Sequence, residues 1–238
     1  MEMSQLAQAF YQLESTSKRL EMTRILGELF AACEINEISQ VVYLLHGRLG
    51  PAWEPTEFGM DVQLLVRAVA SAAGVSASEV QREYDRLGDL GAAGEALING
   101  QGRRLSVSQV FESLKAIATA TGAGSQERKI LLAKDLLHNL SGMEARYVIR
   151  IIQGKLRLGV GDATEMDALS WSFTGDLRLR GLIERAYNLC SDLALVAEVL
   201  KRDGVAGLDR FHPRPGRPIR VELAERLSTP AEVIAKLG

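Results

Sequence analysis

The chain has 238 residues, 47% of them hydrophobic, and a formal net charge of −2. That length and apolar content can bury a substantial core in one large or two small domains, and the near-neutral total gives no sign of a polyanion ligand. The charge is uneven, however: residues 1–100 carry 7 Lys and Arg against 14 Asp and Glu, whereas 101–238 carry 21 against 16, and it is local field that draws a polyanion.

From the N-terminus onward, apolar residues recur at helical spacing, as in Leu6, Phe10 and Leu13, and later in Val110, Phe111, Leu114, Ile117 and Ala118. Alternation of period two is hard to find, so the fold expected is all-α, a multi-helix bundle. Val41–Leu45 and Tyr147–Ile152, the longest apolar stretches, are too short or too broken by charge to span a bilayer. The N-terminus lacks a signal-peptide pattern, so a cytoplasmic protein with no membrane partner is expected. Cys33 and Cys190 lie far apart in apolar helical patterns, which suits reduced core thiols better than a disulfide. Ser17-Lys18-Arg19 opens the helix containing Ile25, while Ser76-Ala77-Ser78-Glu79 and Ser106-Val107-Ser108-Gln109 read as capping boxes. Gly74, Gly122 and Gly142 punctuate helix ends.

Further along, Gly122-Ala123-Gly124-Ser125-Gln126-Glu127-Arg128-Lys129 is a flexible loop opening a helix, with Ser125 expected as N-cap. Free NH groups and the positive end of a helix dipole make such a terminus an anion site, and Lys129 adds a full charge; an ordinary N-cap reads the same way. The spacing is not that of a P-loop. Gly154-Lys155-Leu156-Arg157-Leu158-Gly159-Val160-Gly161 follows a helix bearing Arg146 and Arg150. Its glycines let backbone approach a phosphate or sugar while Lys155 and Arg157 neutralise it, although a Schellman stop with basic residues has the same composition. Lys201-Arg202-Asp203-Gly204 fits Lys-x-Asp-Gly, the signature of nucleotidyltransferases whose lysine takes up AMP, but it follows the helical run Ala194–Leu200 and reads as a decoy with Gly204 as C-cap. His46, His138 and His212 lack metal spacing, and no Ser/His/Asp or Cys/His grouping can be drawn. Phe211–Pro218 holds three prolines in six residues, an extended linker, and Thr229-Pro230-Ala231-Glu232 starts one last helix with a capping box. The expected organisation is a helical domain over 1–212, then a linker and first helix over 213–238 leading toward a further domain.

One helical module is written twice. Ile25 through His46-Gly47-Arg48-Leu49 is matched about 105 residues later by Ile130 through Gln153-Gly154-Lys155-Leu156, the Gly-basic-Leu triplets lying 107 positions apart. Tyr84–Leu90 is echoed by Tyr187–Leu193 at an offset of 103. Solenoid repeats recur every 20 to 50 residues, so a two-fold duplicated bundle is the simpler reading. Such a body suits a ligand with two-fold character, for example duplex DNA, whose strands look alike from the two sides of a groove; a helical protein-interaction scaffold without DNA affinity is the alternative.

Several segments together resemble the N-terminal DNA-binding domain of ATP-dependent DNA ligases, particularly the archaeal type. They are Gly122–Lys129, Glu144-Ala145-Arg146 through Gly161, the Gly88-Asp89-Leu90-Gly91 turn, and Arg217–Arg226. The resemblance covers essentially the whole chain. It implies an all-helical, pseudo-symmetric domain that lies across the minor groove of nicked duplex DNA and holds it, independently of sequence, for adenylation and OB-fold domains of the same enzyme. ATP and Mg²⁺ are then implied for the full-length enzyme and neither for this stretch, which would bind DNA without ligating it. On that reading Ser17, Lys18, Arg19, Ser125, Lys129, Arg150, Lys155 and Arg157, with backbone at Gly124, Gly154 and Gly159, grip phosphates and sugars. Two departures stand out: Val221-Glu222 replaces the usual Pro-Met before Leu-Ala, and Asn99–Leu105, where archaeal members often carry a glutamine-and-aromatic sliding-clamp motif, has no aromatic residue.

Overall fold

A computed structural model describes residues 1–100, 102–220 and 229–237, excepting the side chains at 233, 236 and 237. Among these residues the chain forms helices alone. They are α1 (Met3–Glu14), α2 (Arg19–Ala32), α3 (Ile35–Leu45), α4 (Val62–Ala73), α5 (Ala77–Leu87), α6 (Leu90–Leu97) and α7 (Val107–Thr119). The chain continues with α8 (Ser125–His138), α9 (Gly142–Ile152), α10 (Asp162–Thr174), α11 (Arg180–Cys190), α12 (Leu193–Asp203), the single turn α13 (Val205–Leu208) and α14 (Pro230–Leu237). None is long and apolar enough to cross a membrane.

The apolar spacing read in the sequence becomes the buried face of each helix. Met3, Leu6, Phe10 and Leu13 of α1 are fully buried, and so are Val107, Val110, Leu114 and Ile117 of α7. One contiguous core joins the helices from α1 to α13. Phe10 meets Tyr147 edge to face at 5.3 Å, a contact worth about 0.5–1.5 kcal/mol beyond the area it buries. Cys33 and Cys190 are free and buried, and loss of solvent pushes their thiols up to about 12 and about 11.

The duplication is physical. Buried positions of α2 (Met22, Thr23, Leu26, Leu29, Phe30) recur in α8 as Lys129, Ile130, Ala133, Leu136 and Leu137, a register of 107. Ile130 thus corresponds to Thr23 rather than to Ile25. In α3 and α9 the same register relates the Glu34/Glu37 and Ser141/Glu144 capping boxes. After shorter connections in the second copy, the offset is 103: N-cap Asp89 accepts from Ala92 N, and N-cap Asp192 from Leu195 N.

The copies interlock instead of standing side by side. Helix α2 packs on α10 of the other copy as α8 packs on α4, and α3 packs on α12 as α9 packs on α6. An antiparallel bridge between Glu2 and Ser106 lies at the pseudo-dyad, where Met3 N donates to Leu105 O and Val107 N to Met1 O. Each half completes the other's core, which explains one body from a sequence repeat of more than 100 residues.

Local expectations are met with three adjustments. Ser106 and Gln109 form the full capping box, whereas at Ser76 only its own half exists, Glu79 N donating to Ser76 Oγ. Gly142 is the first residue of α9 and Ser141 its cap. Ser125 is not an N-cap: Gly122 and Gly124 both have positive φ, and the chain turns so tightly that Gly124 takes the cap position and Ser125 is already helical. Arg217–Arg226 and Asn99–Leu105 fall only partly within the described residues; Gln101 and the Val221-Glu222 departure lie outside them.

Candidate nucleic-acid interface

Helices α2 and α8 are pseudo-dyad mates, and both begin without a side-chain cap. Helices α4, α5, α6, α7, α9 and α12 have an N-terminal amide satisfied by an Asp or Ser at the cap, while α10 and α11 also start bare, so it is the exposed residues beside α2 and α8 that set this pair apart. An uncapped start leaves backbone N–H groups open to an external acceptor. Ser17, Lys18 and Arg19 are exposed at the first start, Gly124 is exposed at the second, and Ser125 is half-buried there.

Between these two starts runs the segment after α9. Lys155 N donates to Arg150 O, a six-to-one Schellman closure that demands the left-handed Gly154 (φ +65°), and Arg48 N to Tyr43 O repeats it at Gly47. The chain then extends, so side chains alternate: Leu156 and Leu158 point into the core, and Lys155 and Arg157 point out. Neither cation forms an ion pair among the described residues, nor do Lys18 and Arg48. Nothing lies within 4 Å of where a Cβ on Gly154 would sit, which leaves its backbone open to solvent.

The segment borders two clefts. One of about 790 Å³ is lined by Ser17, Arg19, Arg150, Arg157 and Gly159. The other, of about 520 Å³, is lined by Gly47, Gly154, Phe58 and Gln126 of the first turn of α8. The fold thus brings both helix starts and both Gly-basic-Leu turns to one side of the molecule. Arg48, the mate of Lys155, was not singled out from the sequence as a contact; the signal was its place in the first Gly-basic-Leu triplet.

Two expected gripping residues face inward. Lys129 is buried, and its ammonium donates to Phe58 O at 2.6 Å, tying the α3–α4 connection to α8. In the other copy the position is Met22, whose terminal methyl lies 3.6 Å from where a Cβ on Gly159 would sit. Arg150 has 12% of its side chain exposed and bonds Asp89 at 2.8 Å and also Glu14. Burial works against its charge, but these carboxylates hold its pKa above the usual arginine value. Asp89 is held below the usual carboxylate range, the Arg150 bond and the Ala92 and Gly91 amides outweighing partial burial. Both side chains are consumed by internal partners because the helix pairings bring carboxylates and carbonyls against them, which spacing along one helix does not reveal. Arg19 divides its role, 61% exposed yet 2.6 Å from Asp167.

Lys201 is a cap. Its ammonium donates to Phe30 O and Ala31 O at 3.1 and 3.0 Å, closing the end of α2, and Gly204 terminates α12 as expected. The Pro-rich segment is bonded back to the body at Arg220, which stacks 4.5 Å over Tyr187, bridges to Asp162 at 2.9 Å and donates its backbone N–H to Asn188 O. Among the described residues no three His, Cys, Asp or Glu side chains converge as metal ligands.

Fold and surface together define an all-helical, internally duplicated domain with unpaired cations and open helix starts gathered on one side. The chain belongs to the DNA ligase N terminus family, whose model matches residues 2–170. It is 43% identical over 234 residues to a probable DNA ligase of Dictyoglomus thermophilum, covering 98% of this chain and 40% of that protein. DNA ligases of Acidianus ambivalens and Sulfurisphaera tokodaii are 40% and 41% identical across all of it, and the match covers 42% of each. The chain therefore spans about two fifths of the relatives it matches.

Proposed function

We propose that this chain is the DNA-clamping part of an ATP-dependent DNA ligase, holding nicked duplex through the minor-groove backbone independently of base sequence while other domains seal the nick in replication and repair. The observation that carries the reading is the pseudo-dyad pair of uncapped helix starts, α2 and α8, flanking a segment whose Lys155 and Arg157 are exposed and unpaired. Two strands flanking a groove present phosphates in a two-fold arrangement, and two-fold related anion sites match it.

Lys18, Arg48, Lys155 and Arg157 supply point charges, Arg19 part of one, and the amides opening α2 and α8 donate to phosphate oxygens near Ser17, Gly124 and Ser125. Backbone at Gly154 and Gly159 approaches the sugars. Lys129 and Arg150 hold these elements in place. Residues 1–212 form the clamp, and 213–238 lead toward the adenylation and OB-fold domains. On this reading ATP and Mg²⁺ serve the full-length enzyme. A sliding clamp is a further partner of such enzymes in archaea, but no aromatic residue in Asn99–Leu105 supports one here.

Fluorescence anisotropy of this chain on labelled nicked duplex at several salt concentrations tests the reading. With about six phosphate contacts, log K should fall against log salt with a slope of about −5. Affinity indifferent to salt, or no binding at low salt, would contradict it and favour a protein-interaction scaffold.

A further inference from the structure

Leu20 is 87% exposed, the most exposed of the large hydrophobic side chains among the described residues. It sits in the first turn of α2, directly after Ser17, Lys18 and Arg19, while the helix buries Met22, Thr23, Ile25, Leu26, Leu29 and Phe30 on its other side. Packing among the described residues does not account for it. The duplication supplies a second observation: in the register of 107 that superposes the buried faces of α2 and α8, the counterpart of Leu20 is Glu127, which pairs with Arg67 at 2.8 Å. The two helix starts are alike in backbone and each has one carboxylate in its first turn, Glu21 and Glu127, but at this matched position one carries an apolar side chain and the other an acidic one.

From this placement we infer that Leu20 is an apolar contact to duplex DNA, lying against the sugar edges of the minor groove between phosphates held by Lys18 and Arg157. The inference rests on the DNA-clamping reading and adds to it. A duplex is the occupant that the surroundings favour: Ser17, Lys18 and Arg19, just before Leu20, are exposed, Ser17 and Arg19 share a cleft with Arg157, and the carboxylates nearby are engaged, Glu14 by Arg146 and Arg150 and Glu21 by the Thr16 hydroxyl. Deoxyribose C–H groups lining the minor groove offer the apolar surface beside phosphate, and minor-groove binders do combine aliphatic side chains with their cations, there as wedges between base steps. The matching position on α8 holds Glu127, paired with Arg67, in place of an apolar side chain, so the apolar contact is made from one side of the groove only. The clamp is then polar in its seating although its scaffold is two-fold.

The test compares wild type, Leu20→Ala, Leu20→Met and Lys18→Ala by anisotropy on nicked and intact duplexes of one sequence, across a salt series. Leu20→Ala should weaken binding roughly five- to tenfold, the share expected from partial burial of the lost methyl and methylene groups. Its salt slope should equal that of wild type, since no phosphate contact is removed, and the loss should be the same on both duplexes. Leu20→Met should restore affinity. Lys18→Ala should instead lower the slope by about 1. Because Leu20 is exposed, the melting temperature of Leu20→Ala should match wild type, so a loss of affinity is not a loss of fold. Wild-type binding with Leu20→Ala indistinguishable from it would overturn the Leu20 contact and leave the clamp reading intact. A loss confined to nicked duplex, or one that changes the slope, would also overturn it. Failure of wild type to bind would instead refute the clamp reading itself.

Discussion

Replacing Arg150 by alanine separates positioning from gripping. Its guanidinium donates to Asp89 from Nε and Nη2 at 2.9 and 2.8 Å, and to Glu14 through Nη1, at 12% side-chain exposure. Removing it leaves two carboxylates, 34% and 21% exposed, with Arg146 as the neighbouring cation on Glu14. Breaking a fully buried pair costs about 3–5 kcal/mol and an exposed one about 0–1, so this intermediate site should lose about 2–3 kcal/mol. For a chain of this size that is a drop of roughly 5–10 °C in melting temperature. Scanning calorimetry of Arg150→Ala should show it, with Arg150→Lys falling between. Arg157→Ala should behave oppositely, keeping the melting temperature and lowering the salt slope on DNA by about 1. If Arg150→Ala kept its melting temperature and flattened the salt slope, the assignment of Arg150 to the interior would be refuted.

Gly91 sits where α6 crosses α9, and a Cβ there would lie 2.7 Å from Arg146 O and 2.8 Å from Arg150 Cγ. Gly91→Ala should therefore cost about 1–3 kcal/mol in urea unfolding, because backbone cannot yield as a side chain does. His46 Nε2 is 2.9 Å from the fully buried Glu165; burial opposes the imidazolium, but the carboxylate outweighs it and holds His46 above its usual 6.5. Stability from that pair is present below pH 6.5 and lost as pH rises through the folded His46 value, leaving Glu165, whose carboxyl burial pushes upward, without its cation. The melting temperature should thus fall toward pH 9, and His46→Gln should flatten the profile; an unchanged profile would remove the pair from the stability balance. Lys201→Ala should destabilise by about 1 kcal/mol through the lost α2 cap, and incubation with radioactive ATP should label neither protein. Labelling that disappears in the variant would make Lys201 an AMP acceptor.

Much of the fold was legible because it is local. Helical spacing marked the core faces of α1 and α7, and Ser106, Gln109 and Gly204 announced their helix ends. The repeat of Gly47-Arg48-Leu49 as Gly154-Lys155-Leu156 disclosed the duplication, since the same turn closes the same helix twice. The interlocking of halves was not legible, because α2 and α10 meet across more than 100 residues and no periodicity encodes which half supplies the partner. That same non-local pairing decides the site. Lys129 and Arg150 have the sequence signature of phosphate ligands, yet Phe58 O, Glu14 and Asp89 reach them from distant elements. Ser125 was misplaced by one position because the positive-φ glycines Gly122 and Gly124, on either side of Ala123, turn the chain more tightly than an extended N-cap. Leu20, by contrast, looks ordinary in a helical sequence and becomes conspicuous only once its exposure is seen.

The two-fold grip on duplex is tested most directly by hydroxyl-radical footprinting of this chain on a nicked duplex labelled in turn on each strand. Grip from two pseudo-dyad helix starts across a minor groove predicts one protected stretch on each strand, offset toward the 3′ side, with the stretch facing α2 lost in a Lys18→Ala, Arg157→Ala double variant and the other retained. Protection of one strand alone, or none at concentrations that saturate anisotropy, would contradict it.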